Sequence, residues 1–312
     1  MKKTSIAIIN KKLNEDSEKF ILNCEGAYKS QIQALAYGIN RWGDTKPIIL
    51  LSGPSGSGKT TTALMLDECL EKLGRKTHTI SMDDYFFSSD RPHSAYDENG
   101  NIDYESPYRL DINLLNKHML KLANCEEIEV PQFNFREQKR SKQGIPLKRQ
   151  KGDFVIFEGI HALNPDVTGM TDGIANGVYV SVRTRLETKS GAVLHPSQIR
   201  LMRRIIRDKL FRGRQPIDTL SLFNSVERGE NLYIMPYKNR AEYSIDTFIP
   251  YEVSVYKAFL ENDLNRVLDG YGDCERFAMI PKVLDELVEI GTEKIPQNSL
   301  VREFIGGSSF EY

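Results

Sequence analysis

The segment PIILLSGPSGSGKT, residues 47–60, decides the fold. Its first half is a short continuous apolar run that follows a break at Asp44–Pro47. That is the pattern of a strand buried on both faces of a parallel sheet. Its second half matches G-x-x-x-x-G-K-[ST] from Gly53 to Thr60. Glycines at these positions let backbone N–H groups converge on phosphate oxygens, while the following helix points its positive end at them. Gly53, Pro54, Ser55, Gly56, Ser57, Gly58, Lys59, Thr60 and Thr61 are therefore candidate nucleotide-binding residues. Lys59 supplies a point charge to the β/γ-phosphates, and the Thr60 hydroxyl suits Mg²⁺.

Working outward, further apolar runs at Lys76–Met82, Asp153–Phe157, Gly177–Val182 and Tyr243–Ile249 read as strands. Helical patterns fall between them. Lys59–Leu73 carries Ala63, Leu66, Leu70 and Leu73 on one face, with Gly74 placed to stop it, and a second helix begins near Asp111 and runs to Leu122. Strands alternating with helices mean βαβ units and a mostly parallel sheet. Residues from about 15 to 41 carry Phe20, Ile21, Cys24, Tyr28, Ile32 and Leu35 at helical spacing. Helical patterning returns after Pro250 through Val255, Leu260, Leu264 and Leu268, then over Lys282–Ile290. The expectation is one elaborated α/β unit, a P-loop three-layer sandwich with helical ends. Its parts are an extension over 1–45, a core over 46–251 with a lid near 197–215, and a second extension over 252–312. The two extensions either pack on the core or form the interface of a homo-oligomer.

Composition narrows the function. The 312 residues are 40% hydrophobic and 27% charged, which excludes an intrinsically disordered chain. Lys plus Arg total 42 against 43 for Asp plus Glu, so no whole-molecule attraction draws nucleic acid or anionic lipid. The cysteines Cys24, Cys69, Cys125 and Cys274 form no C-x-x-C pair and no zinc spacing, so a reduced setting is the default. The apolar run after the N-terminal lysines is too short for a signal peptide, and no later stretch is long enough to span a bilayer. These features predict a cytoplasmic protein.

Two carboxylates fall where open α/β sheets bind ligands, beyond the carboxyl ends of strands. The second strand runs into Asp83 and the third ends at Glu158. Phosphoryl transfer needs a metal held against phosphates and a carboxylate that accepts the nucleophile's proton. Glu158 is assigned with Thr60 to Mg²⁺, and Asp83 to the base, beside the metal. An N-K-x-D base-reading motif is absent after the loop, which favours a small-molecule kinase over a GTPase switch. Arg200–Arg214 holds seven basic residues and one acid, Asp208, with apolar residues between them. It reads as an amphipathic helix whose arginines close over the nucleotide, as a solvated basic face, or as a nucleic-acid patch. Arg136–Lys151 has the same charge count but contains Gly144 and Pro146, which predicts an exposed loop. The preceding Pro131–Phe135 either stacks on a planar substrate or packs as an edge strand.

Taken together, GPSGSGKTT, ISMDDYF, NIDYESP, VPQFNF, VIFEGIHALNP, RLMRRIIRDKLFRGR and YIMPYKNRAE resemble the uridine kinase and phosphoribulokinase group of P-loop kinases, in family order from Pro47 to about Tyr251. The closing NSLVREFIGGSSFEY is similar to the uridine-kinase-like bacterial branch. The resemblance implies an ATP- and Mg²⁺-dependent kinase acting on a primary hydroxyl of a nucleoside or similar small metabolite. Asp83 would be the base, with Lys59 and Arg207 also catalytic. Asp103 would grip ribose hydroxyls, and Phe86 would lie against the substrate. Arg204, Arg207, Arg212 and Arg214 match lid arginines that contact phosphates and substrate. Glu242 stands where the family usually has Asp, in a segment beside the nucleotide. The sequence departs from the family's pyrimidine-reading positions at Phe133, Gln138 and Leu222. Loss of polar readers alters discrimination among acceptors. A sister kinase for a sugar phosphate or organic acid would draw on Arg136, Lys139 and Arg140, and a non-catalytic nucleotide-binding or RNA-associated protein on the basic loop.

Overall fold

Every residue of the run Ile48–Ser52 is buried, and its side chains alternate between two cores. Ile49 and Leu51 face one cluster, Ile48 and Leu50 the other. This is the two-sided burial that a central parallel strand requires. The computed structural model describes residues 2–88, 95–268 and 277–312.

The chain opens with β1 (Lys3–Ser5), α1 (Ile6–Asn40), β2 (Ile48–Ser52), α2 (Lys59–Lys72) and β3 (Thr77–Ser81). Next come α3 (Ile112–Ala123), β4 (Glu127–Val130), β5 (Phe133–Asn134), β6 (Lys139–Arg140), β7 (Ile145–Lys148) and β8 (Phe154–Glu158). They are followed by α4 (Pro165–Thr168), β9 (Ala175–Ser181), β10 (Arg185–Glu187) and β11 (Val193–Leu194). The last labelled elements are α5 (Pro196–Arg212), α6 (Pro216–Tyr233), β12 (Tyr243–Asp246) and α7 (Glu252–Leu268). Helical turns at Met279–Glu286 and Arg302–Ile305 complete the chain.

The central sheet has the order β12-β9-β2-β8-β3, with every pairing parallel. One face packs on α1, α2, α5, α7 and the C-terminal turns, the other on α3 and α4. The five strands predicted from the sequence are these five, each within a few residues of its predicted bounds. The fold is therefore α/β with three layers. Asp111 caps α3 by accepting the Leu114 N–H at 3.1 Å, and Gly74 takes a φ of +77° just past α2.

Three features differ from the sequence reading. The N-terminal helix starts at Ile6, because Lys3–Ser5 pairs with β10 and the Ser5 hydroxyl accepts the Ala7 N–H. It breaks at Asp16, which leaves helical geometry and caps the second half through the Lys19 N–H. The basic stretch 136–151 is not a plain loop: β6 and β7 lie in it, and β7 pairs with β4 from Val130–Ile145 to Glu127–Lys148. The last predicted helix runs over Met279–Glu286, not Lys282–Ile290. The stripe Phe20, Ile21, Cys24, Tyr28, Ile32 and Leu35 is buried in full, and Tyr28 bonds Thr62 of α2 at 2.7 Å. Both chain ends thus contribute to the same core as the sheet. Val255 and Leu260 of α7 are buried there, while the side chains of Leu264 and Leu268 lie outside the described residues.

Helix α5 is joined to this core by a buried ion pair. The Arg203 guanidinium donates to both Glu252 oxygens, at 2.7 and 3.0 Å, and neither side chain reaches solvent. Its remaining donors reach the Gly56 carbonyl and Thr247. Breaking such a pair strands a buried charge. Arg203→Met is therefore expected to lower stability by about 3–5 kcal/mol in urea denaturation, and pairing it with Glu252→Leu should recover part of the loss.

Candidate functional site

The strand order decides where the chemistry sits. β2, β8 and β3 are neighbours, and Glu158 lies in register with both Leu51 and Ser81. The loop after β2, the Glu158 carboxylate and the Asp83 turn after β3 therefore form one row at the carboxyl edge of the sheet.

Within the loop, Gly56 and Gly58 take φ of +74° and +83°. A Cβ on Gly53 would lie 2.0 Å from the Val180 carbonyl oxygen. One on Gly58 would lie 2.6 Å from Leu300. Ser57 Oγ is buried without a hydrogen-bond partner, an orphaned donor inside the cradle. Lys59 Nζ lies 3.5 Å from the Pro54 carbonyl, and its charge acts on Asp83, Glu158 and Glu105 at once. Loop, lysine and orphaned hydroxyl fit a phosphate chain. Asp83, Glu158 and the half-exposed Thr60 form a hard-oxygen donor set that suits Mg²⁺ with retained waters. No group of three or more His, Cys, Asp or Glu side chains converges as an all-protein metal cage among the described residues.

Asp83 sits in a 3₁₀ turn over Met82–Tyr85, its N–H bonded to the Ser81 hydroxyl at 3.3 Å. Burial pushes its carboxyl above the usual range, and Lys59 pulls it back. Burial raises Glu158 to about 7 against the same lysine, with Asp83 adding to the rise. Asp84 turns away and accepts the Phe133 N–H at 3.0 Å, which fixes the aromatic segment beside the turn.

That segment walls a cavity of about 610 Å³. Phe133 meets Phe86 edge-on at 5.8 Å and Phe135 at 5.1 Å, and Arg109 lies over Phe86 and Tyr104. Gln138 and Leu222 also line it, so all three departures from the pyrimidine-reading pattern face one space. The Gln138 amide donates to the Phe135 carbonyl at 2.8 Å. Arg204, Arg212 and Arg214 enter from α5 and the turn after it.

Apart from Arg203, the arginines of α5 and of the turn after it divide into two groups. Arg200 and Arg204 grip the loop, through the Ser55 carbonyl and the Ser55 hydroxyl. Most of the helix is core rather than a solvated basic face, with Ile199 to Ile206 buried throughout. Arg207, Arg212 and Arg214 converge on the buried Asp208 at 3.4, 3.3 and 3.9 Å.

Two expected residues are engaged elsewhere. Asp103 is buried, with its oxygens taken by Arg228 at 2.8 Å and the Tyr233 hydroxyl at 2.9 Å. Glu242 is turned to Lys46 and the Gly177 N–H, and lines a separate cavity with Arg240, not the row at the carboxyl edge. Its carboxylate pairs with Lys46, two residues ahead of β2, at 2.8 Å. Of the cations offered for an anionic acceptor, Arg140 is bound to Asp111 and the Tyr85 and Phe86 carbonyls. Arg149 of the same stretch is buried against Asp44 and two α3 carbonyls. The basic loop thereby loses two of the cations that an RNA surface would use.

Sequence reasoning missed Glu105. Its N–H is bonded to Asp103, its carbonyl accepts from His161, and a Cβ on Gly229 would lie 2.2 Å from its own Cβ. Burial raises its carboxyl to about 7, with Arg204 opposing. Among the described residues that line the aromatic cavity, it is the acid. The only signal was its place two residues after Asp103.

The model of the Phosphoribulokinase / Uridine kinase family matches residues 48–253. A uridine kinase of Staphylococcus haemolyticus (strain JCSC1435) is 29% identical over 197 residues, 62% of this chain and 84% of that protein. The uridine kinase of Staphylococcus aureus (strain JH9) is 30% identical over 196 residues with the same coverage. A putative fructose transport system kinase from Silicibacter sp. TM1040 has a solved structure with a TM-score of 0.51 at 16% identity. That match covers 68% of this chain and 98% of the other, a likeness of fold.

The contact at Gly53 yields a direct check. Gly53→Ala forces a methyl into the Val180 carbonyl, and overpacking of this kind costs about 1–3 kcal/mol. Thermal melts should show that loss, and calorimetry should show the displaced loop binding ATP less well.

Proposed function

The chain belongs to the phosphoribulokinase/uridine kinase family and is a small-molecule kinase of it; from that premise we propose that it phosphorylates a hydroxyl of a nucleoside-like acceptor at the expense of ATP. The observation that carries this reading is the row of loop, Glu158 and Asp83 beside an aromatic-walled cavity, joined to it by Phe86 after the Asp83 turn and by Arg204, which holds the loop.

In this reading the loop amides and Lys59 hold the triphosphate, and Thr60 and Glu158, beside Asp83, hold Mg²⁺. The metal, when bound, neutralises charge on the phosphate oxygens. The Asp83 carboxylate takes the proton from the acceptor hydroxyl, and a carboxyl raised by burial suits a base. Arg207 and Arg212, clustered on Asp208, bring positive charge to the departing phosphoryl group. Phe86, Phe133 and Phe135 offer apolar faces to a planar ring. Glu105 replaces Asp103 as the acceptor's hydrogen-bonding acid, since the oxygens of Asp103 are already engaged by the protein. Phe133, Gln138 and Leu222 argue against a uridine-specific pocket. A sugar phosphate or organic acid is the second reading, favoured by Arg109, Arg212 and Arg214 in the same cavity.

ADP release from ATP and Mg²⁺ across nucleosides, sugars, sugar phosphates and small acids, with Lys59→Ala as the blank, tests the reading. Turnover with a nucleoside supports it, turnover only with anionic acceptors selects the second, and silence across the panel refutes both. Asp83→Asn should reduce turnover by about 10²–10⁴-fold with ATP affinity retained. Glu105→Gln should raise the acceptor's KM while leaving that of ATP unchanged, whereas Asp103→Asn should chiefly lower the melting temperature.

A further inference from the structure

The C-terminal segment reaches the phosphate loop from far along the chain. Leu300, Val301, Phe304 and Ile305 are buried and anchor it to the core. Leu300 covers Gly58, and the Phe304 ring lies 5.0 Å from the Arg203 guanidinium. On this anchored turn, Glu303 Oε2 accepts from the Thr61 hydroxyl at 2.5 Å and from the Thr61 N–H at 3.3 Å. The chain then doubles back through Gly306 and Gly307, whose φ of +85° and +70° only glycine adopts readily. Gly306 lies against Phe211 at the end of α5, and the Tyr312 hydroxyl returns to Thr61 Oγ1 at 3.0 Å.

Thr61 is the third residue of α2, so its N–H is one of the four that have no acceptor inside the helix. These are the donors with which such a loop cradles the α/β-phosphates. A carboxylate already accepting from that N–H and from the neighbouring hydroxyl stands where a phosphate oxygen would. Two anions cannot share the pair of donors without strong repulsion at this range. Glu303 also acts on Glu158, so its charge is felt across the site.

We propose that Glu303 is a built-in competitor for the nucleotide: the C-terminal segment holds the Thr61 donors in the empty enzyme, and a nucleoside triphosphate must displace its carboxylate to bind. The proposal rests on the kinase reading of the loop. The buried residues at 300, 301, 304 and 305 keep the segment docked, so displacement involves the Glu303 side chain and the chain beyond Gly306. Nucleotide occupancy is thereby coupled to the position of the tail against Phe211.

The test is calorimetric titration of the full chain with Mg²⁺ and a non-hydrolysable ATP analogue, comparing wild type, Glu303→Gln and Lys59→Ala. Removing the competing charge should tighten binding about tenfold, the scale of one charge-assisted hydrogen bond. Unchanged or weaker binding in a folded Glu303→Gln overturns the proposal, and weaker binding makes Glu303 a supporting residue of the site. Absence of binding in wild type as well as in Lys59→Ala overturns the kinase reading and the proposal with it. If Glu303→Gln does not fold, hydrogen exchange on wild type decides. The analogue should slow exchange over residues 53–61 and speed it over 306–312, and unchanged or slower exchange in the tail overturns the proposal.

Discussion

The Arg203–Glu252 pair is the constraint on which the site's geometry depends. A guanidinium is planar, permanently charged and able to donate in five directions. Here those donors tie three separated parts of the chain together: Glu252 at the start of α7, Thr247 after β12, and the Gly56 carbonyl of the phosphate loop. A loop dominated by glycine has little conformational preference of its own. Its shape comes from outside, from Arg203 and Arg200 on one side and from the Val180 carbonyl pressed against Gly53 on the other. Tyr256 adds a hydroxyl to the Glu252 carboxylate at 3.0 Å, so the buried anion is fully engaged. The helix read as a basic lid is buried over its first half and packs against the phosphate loop.

A similar logic governs the acceptor side. Asp103 is spent internally on Arg228 and Tyr233, and its own oxygen accepts the Glu105 N–H. A residue that would be a ligand if exposed here stiffens the turn that presents its neighbour. His161 works the same way, since burial lowers it to about 4 and leaves a neutral ring that donates to the Glu105 carbonyl. Among the described residues, the cavity that results combines aromatic faces, guanidinium groups and the Glu105 carboxyl. Such a mixture selects by which polar groups it leaves unpaired as much as by fit.

Much of this was legible in the sequence, for reasons that are local. A five-residue apolar run, a glycine-rich loop and a helix follow one another directly, so β2, the loop and α2 could be read without tertiary information. The same holds for the Phe20–Leu35 stripe and for the start of a helix near Asp111. Asp83 and Glu158 could be placed on one edge because strand ends in a parallel sheet share it. What stayed hidden depends on partners far away in the chain. Nothing near Asp103 announces Arg228, nothing near Glu242 announces Lys46, and Glu303 lies 242 residues from the threonine it binds. The two-residue strands β5 and β6 carry too few side chains for a period to show, and β7 was masked by Gly144 and Pro146. Gly144 is there because the backbone of β4 passes close, with the Val130 oxygen 2.7 Å from where a Cβ would be.

The cluster at Asp208 has a consequence for how its members act. Arg207, Arg212 and Arg214 share a single carboxylate that has no exposure to solvent and a weak further contact from Thr219 at 3.5 Å. Three positive charges held by one negative charge repel each other, and each is restrained by an anion that it must divide with the other two. Removing any one of them strengthens the hold of Asp208 on the remaining pair and relieves their repulsion. Single losses in such a group do not sum to the loss of the whole. The three arginines therefore form one electrostatically coupled group, organised by the acid they share.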